Sequence, residues 1–132
     1  MQSNLKHIDL QRAGYARLYS AVFAAWDAYD DEGNLYEDDD AIEKHRVATR
    51  ETFTTAVFLT QSEKIEDAID NLYWATTHLW IRAGKTWGDV QKELFLALED
   101  FVFEARRELG LRKLEKGSYE KYRRKLDRFS VK

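Results

Sequence analysis

The 132-residue chain has no cysteine and no proline. Without cysteine there is no disulfide scaffold and no thiol nucleophile. Without proline no helix need be broken, so punctuation falls to six glycines and a few polar clusters. No uncharged stretch exceeds eleven residues, and Asn71–Ile81 is one of that length. Such a stretch is too short to span a bilayer. The opening residues, MQSNLKHIDL, lack a basic segment followed by an apolar one. The expectation is therefore a cytoplasmic protein without a secretory signal. What is present points to a packed domain. Apolar residues make up 44%, charged residues 34% and aromatic residues 14%. That composition excludes a disordered chain. A chain of this length forms one domain and buries about two-thirds of its unfolded surface.

Charge is unevenly spread. Residues 1–105 carry 10 Lys+Arg against 20 Asp+Glu, and residues 106–132 carry 11 against 4. An acidic body followed by a basic tail can mark a nucleic-acid or membrane contact.

Apolar residues recur at spacings of three and four, the helical period, and strict alternation over a strand length is absent. Helix 1 is predicted from about Ser3, a candidate N-cap, to Tyr29, on the stripe Leu5, Ile8, Tyr15, Leu18, Val22, Trp26. Helix 2 is predicted to start at Asp38–Asp40, where acidic groups suit the helix dipole, and to end near Leu59. Ser62 should cap helix 3, whose seam is Ile65, Ile69, Leu72, Thr76, Leu79, Ala83, with Gly84 closing it. Thr86 should cap helix 4, with the stripe Trp87, Val90, Leu94, Leu98, Phe101, Ala105, Leu109. Gly110 fits a left-handed position after it, with Leu111 completing a Schellman ending.

Short connections between helices of matched length, about 22–27 residues, impose antiparallel neighbours. The predicted fold is all-α: an up-down-up-down four-helix bundle over residues 1–111. A short basic amphipathic C-terminal helix over 112–132 carries the stripe Tyr119, Tyr122, Leu126, Phe129.

The ending of helix 4, FVFEARRELGL (Phe101–Leu111), resembles that of small bacterial helical-bundle proteins, notably actinobacterial ones. These finish with an aromatic residue and then A-R-x-[DE]-L-G. The resemblance covers about Leu10–Leu111. It implies a bundle and carries no assigned activity.

Several chemistries lack their residues. A di-metal bundle needs Glu-x-x-His from two helices. None of His7, His45 and His78 has Glu three residues before it. Glu63, Glu66, Asp67 and Asp70 share one helical face, as in all-α nucleotide pyrophosphohydrolases, but the second acidic pair that such enzymes place on the next helix is missing. They read as a solvated face. The acidic loop Asp30–Asp40 fails the EF-hand register, because Ala28 would be its first ligand and Asp39 its last. No G-x-S-x-G elbow, Gly-rich phosphate loop or arginine–histidine ribonuclease dyad occurs. The expectation is a protein that is not an enzyme and needs no cofactor, metal or small-molecule substrate.

Two features remain. Four Trp, seven Tyr and seven Phe exceed what one apolar stripe per helix can absorb. The predicted contact surface lies on helices 3 and 4 and comprises Tyr73, Trp74, Trp80, Leu96 and Phe103, serving a protein partner or a homodimer. The tail residues Lys121, Arg123, Arg124, Lys125 and Arg128 are the alternative, a polyanion-binding surface for nucleic acid. They could instead pair with the chain's own acidic body, and the tail stripe could cover the surplus rings.

Overall fold

The computed structural model describes residues 2–36, 38–112 and 118–129, with backbone alone for 2–5 and 126–129. Five helices follow in order: α1 (Gln2–Asp27), α2 (Asp39–Leu59), α3 (Glu63–Thr77), α4 (Trp87–Glu108) and α5 (Tyr119–Phe129). The first four form the expected up-down-up-down bundle, and α5 is the short helix after it.

Caps set most of the ends. Asp38 accepts from the Ala41 N–H at 3.2 Å, and Thr86 accepts from the Asp89 N–H at 3.2 Å. The Ser62 hydroxyl faces the Ile65 N–H at 3.5 Å. At the end of α4, Leu111 N–H bonds the Arg106 carbonyl at 2.8 Å and Gly110 N–H bonds the Arg107 carbonyl at 3.1 Å. With Gly110 at φ 71°, that is a Schellman ending. Ser3, by contrast, lies inside α1, which already includes Gln2. The helix also stops at Asp27 rather than Tyr29, because Tyr29 and Leu35 pair as an isolated antiparallel bridge across the loop. Asp30 organises that loop, its carboxylate accepting from the N–H groups of Glu32 and Asn34 at 2.8 and 2.9 Å. These backbone bonds, Asn34 first, hold the Asp30 carboxyl below its ordinary range.

The core lies where the stripes placed it. Leu18 and Val22 of α1, Ala56 of α2, Ile65 and Leu72 of α3, and Val90, Leu94 and Leu98 of α4 are fully buried. Each large aliphatic side chain among them is worth roughly 1.5–3 kcal/mol of hydrophobic stabilisation. Packing is closest between α1 and α2 and between α3 and α4, whereas α2 and α3 touch far less. At Gly14, a methyl group would run into Cδ1 of Leu59, so the missing side chain lets α1 approach the end of α2.

Helix 3 is the main departure. It ends at Thr77, not Gly84, and the connection to α4 spans 78–86. Thr76 and Thr77 turn their hydroxyls back onto the carbonyls of Leu72 and Trp74, at 2.6 and 2.7 Å. Back-bonding of this kind competes with the helical ladder. The chain then tightens, with Leu79 N–H on Thr76 O at 3.0 Å and Trp80 N–H on Thr77 O at 3.2 Å. Leu79 stays fully buried, but Ala83 leaves the predicted seam, exposed at φ 50°. The helices are thus unequal, with 15 residues in α3 against 26 in α1.

The last helix lies against the bundle. Tyr119 is 2% exposed, its ring 5.2 Å from that of Phe95 and its hydroxyl 3.2 Å from that of Tyr19. The Arg123 guanidinium sits over Phe23 and Trp26, at 4.9 and 5.3 Å. The tail therefore covers aromatic rings of α1 and α4, and Leu126 and Phe129 lie outside the residues with described side chains. No helix among the described residues is long and apolar enough to cross a membrane.

Candidate functional site

Two polar clusters fix the ends of the bundle. At one end Glu108 of α4 gathers four donors. Its Oε1 accepts from Gln11 Nε2 at 2.5 Å, from Tyr15 OH at 3.0 Å and from Gln61 N–H at 3.0 Å. Its Oε2 accepts from Ser62 Oγ at 3.3 Å. Gln11 also donates to the Leu59 carbonyl at 2.8 Å, so α1, the α2–α3 turn and α4 are joined. Burial first, and then the hydrogen bond and charge of Glu108, push the Tyr15 phenol well above its ordinary range.

At the other end Arg82 joins the two loops. Its Nε donates to Leu79 O at 2.9 Å and its Nη2 to Gly33 O at 2.7 Å. Its guanidinium lies 4.5 Å from the Trp87 ring and 5.4 Å from the Tyr29 ring. Gly33 is required there: φ is 85°, and a Cβ would sit 2.7 Å from Trp87 and 2.9 Å from Arg82.

Tied at both ends, α2 and α3 leave a groove between them. One compartment, about 530 Å³, is lined by Phe53, Val57, Phe58 and Ile69, with Glu66, Asp67 and Asp70 on its rim. A second, about 220 Å³, holds Trp74, Trp80, Ile81, His78 and Arg46. Arg50 and Tyr73 line both, which makes the two compartments neighbours on one face. Phe58 is 84% exposed, Trp74 57% and Ile81 55%. The Tyr73 ring packs edge-on against Phe53 at 5.2 Å and Trp74 at 5.9 Å. His78 Nδ1 lies 3.1 Å from Glu93 Oε1, whose other oxygen takes Lys85 at 3.1 Å. Acidic side chains therefore gather beside Phe58, where Arg50 also stands, and Arg46, paired with Glu43 at 3.6 Å, lines the other compartment.

Of the residues expected to form a contact surface, Tyr73, Trp74 and Trp80 come together in this groove. Trp80 and Tyr73 also pack on the core, which leaves Trp74 as the exposed ring of the three. Leu96, 49% exposed, and half-buried Phe103 lie on α4 and line neither compartment. Phe58, Val57, Arg46 and Arg50 were not singled out. The signal for Val57 and Phe58 was the run Val57-Phe58-Leu59, which no single helical stripe can bury, whereas no pattern marked Arg46 and Arg50.

In the tail, Lys121, Arg124 and Lys125 are exposed, and Arg124 pairs with Glu120 at 3.1 Å. Arg123 is turned onto the rings of α1, and the Arg128 side chain lies outside the described residues. Among the described residues no three His, Cys, Asp or Glu side chains are grouped to hold a metal ion. The groove offers apolar surface and fixed charge, the requirements of recognition. No protein family, curated protein or solved structure matches the chain.

Proposed function

We propose that this chain is a non-enzymatic protein that acts through protein–protein contact, associating with a second copy across the α2–α3 groove. The carrying observation is an exposed apolar face, open at Phe58, Trp74 and Ile81, that bears both an acidic rim and arginines. A two-fold axis across the groove sets the acidic rim of Glu66, Asp67 and Asp70 against Arg46 and Arg50 of the other copy. It also brings Phe58 of each copy to the compartment of Trp74 and Ile81 in the other. Such an isologous contact is self-complementary by construction.

Size is consistent with this reading. The 21 residues of α2 extend about 31 Å, and two helices side by side are about 20 Å across. That gives roughly 600 Å² of face per copy, near the ~800 Å² per partner of a standard interface. The tail is less suited to polyanion binding, because Arg123 is engaged on the chain's own rings and Arg124 on Glu120.

Light scattering over a concentration series tests the dimer. Phe58→Asp and Trp74→Asp should each give a monomer at concentrations where the parent is dimeric. Arg50→Glu should also weaken association, and adding Asp67→Arg should restore it. A parent chain that stays monomeric at high concentration refutes the reading.

A further inference from the structure

We infer that the cavity between α1, α4 and α5 is a binding site for an amphiphilic anion, an apolar body carrying one carboxylate. The cavity measures about 420 Å³, within the ~300–1,000 Å³ usual for small-molecule sites. Its walls are apolar, formed by Tyr15, Tyr19, Phe101, Val102, Leu109 and Tyr122. Two arginines, Arg12 and Arg106, line it as well, and no acidic side chain among the described residues does.

Arg106 is half-buried and held in place. Its Nε and Nη2 donate to the Arg112 carbonyl at 3.0 and 2.9 Å, and its Nη1 donates to Tyr122 OH at 3.1 Å. The Tyr122 ring lies 5.0 Å from the guanidinium. Every one of these partners is neutral. No carboxylate among the described residues forms an ion pair with Arg106 or Arg12. A guanidinium has five N–H donors, and three are used here, which leaves one on each terminal nitrogen. Two donors on one planar fork are the complement of a carboxylate. A positioned, partly desolvated cation with neutral partners beside an apolar cavity is thus completed by an anion with an apolar body.

The site is separate from the α2–α3 groove. Because Tyr122 of α5 forms one wall, the ligand would also fasten α5 to the bundle.

The test is calorimetric titration of the full chain with decanoate, decanol and decylammonium. Decanoate should bind about tenfold or more tightly than decanol, with decylammonium weakest. Arg106→Gln should remove that preference while decanol affinity is unchanged. Arg12 is exposed and bonds no partner among the described residues, so Arg12→Gln tests the same point if Arg106→Gln loosens α5. It should lower decanoate affinity severalfold without shifting the thermal midpoint. Decanoate binding no better than decanol, or a preference that survives both substitutions, overturns the inference, as does an absence of decanoate binding.

Discussion

Removing the Glu108 carboxylate should be among the most damaging single changes to this bundle. Glu108→Ala deletes the acceptor for Gln11, Tyr15, Gln61 and Ser62 together. A hydrogen bond to a charged group contributes about 1.5–3 kcal/mol, and an unmet buried donor costs about 1–3 kcal/mol. The four are not additive. Gln11 retains the Leu59 carbonyl, and Gln61 and Ser62 are exposed enough to take water. Tyr15 loses its acceptor while buried. The net cost should be about 3–5 kcal/mol, a large part of the ~5–15 kcal/mol that holds a domain together. Glu108→Gln is the informative control. Three of the four donors converge on Oε1, which an amide oxygen can replace, and the new amide nitrogen can donate to Ser62 Oγ. It should cost only about 1–2 kcal/mol, the loss of the charge. Urea unfolding followed by tryptophan fluorescence measures both, as shifts in midpoint at constant slope. Equal losses for the two variants, or less than about 1 kcal/mol for Glu108→Ala, would refute the claim that this acceptor joins the helices.

Three more outcomes follow from named contacts. Gly33→Ala places a methyl group against Trp87 at a φ of 85°, so it should destabilise by about 2–4 kcal/mol in the same assay. Because Tyr15 keeps its proton above the ordinary tyrosine range when folded, its contribution to stability is complete below about pH 10. Stability should then fall by up to ~1.4 kcal/mol per pH unit as the unfolded chain ionises first, a slope that Tyr15→Phe removes in pH-dependent unfolding. Cutting the chain after Arg112 should uncover Tyr19, Phe23, Trp26 and Phe95 and raise the binding of an apolar dye such as anilinonaphthalene sulfonate. Unchanged dye fluorescence would contradict the cover assigned to α5.

What could be read in the sequence was whatever repeats locally. The steps of three and four that bury Ile65, Ile69 and Leu72, the hydroxyls of Ser62 and Thr86 and the Gly110 ending are each decided within a few residues. The same local rule misplaced the end of helix 3. The pattern continues through Leu79 to Ala83, and Leu79 is buried as it requires, yet the backbone has left the helix. Periodicity reports which side chains face the core. It does not report which carbonyls are claimed by Thr76, Thr77 and Arg82, the last of these bonding a residue 49 positions away.

The candidate site was legible to the same extent. An excess of rings is visible in composition, and Tyr73, Trp74 and Trp80 were found because helix 3 carries more apolar rows than one seam can bury. The groove itself depends on where α2 and α3 lie relative to each other. Contacts distant in sequence place their ends, at one end Gln11 on Leu59 and on Glu108, 97 residues away, and at the other Arg82 on Gly33. The surplus rings consequently divide by neighbour rather than by helix. Phe95 is covered because α5 reaches it, whereas Trp74, which no described helix covers, is 57% exposed.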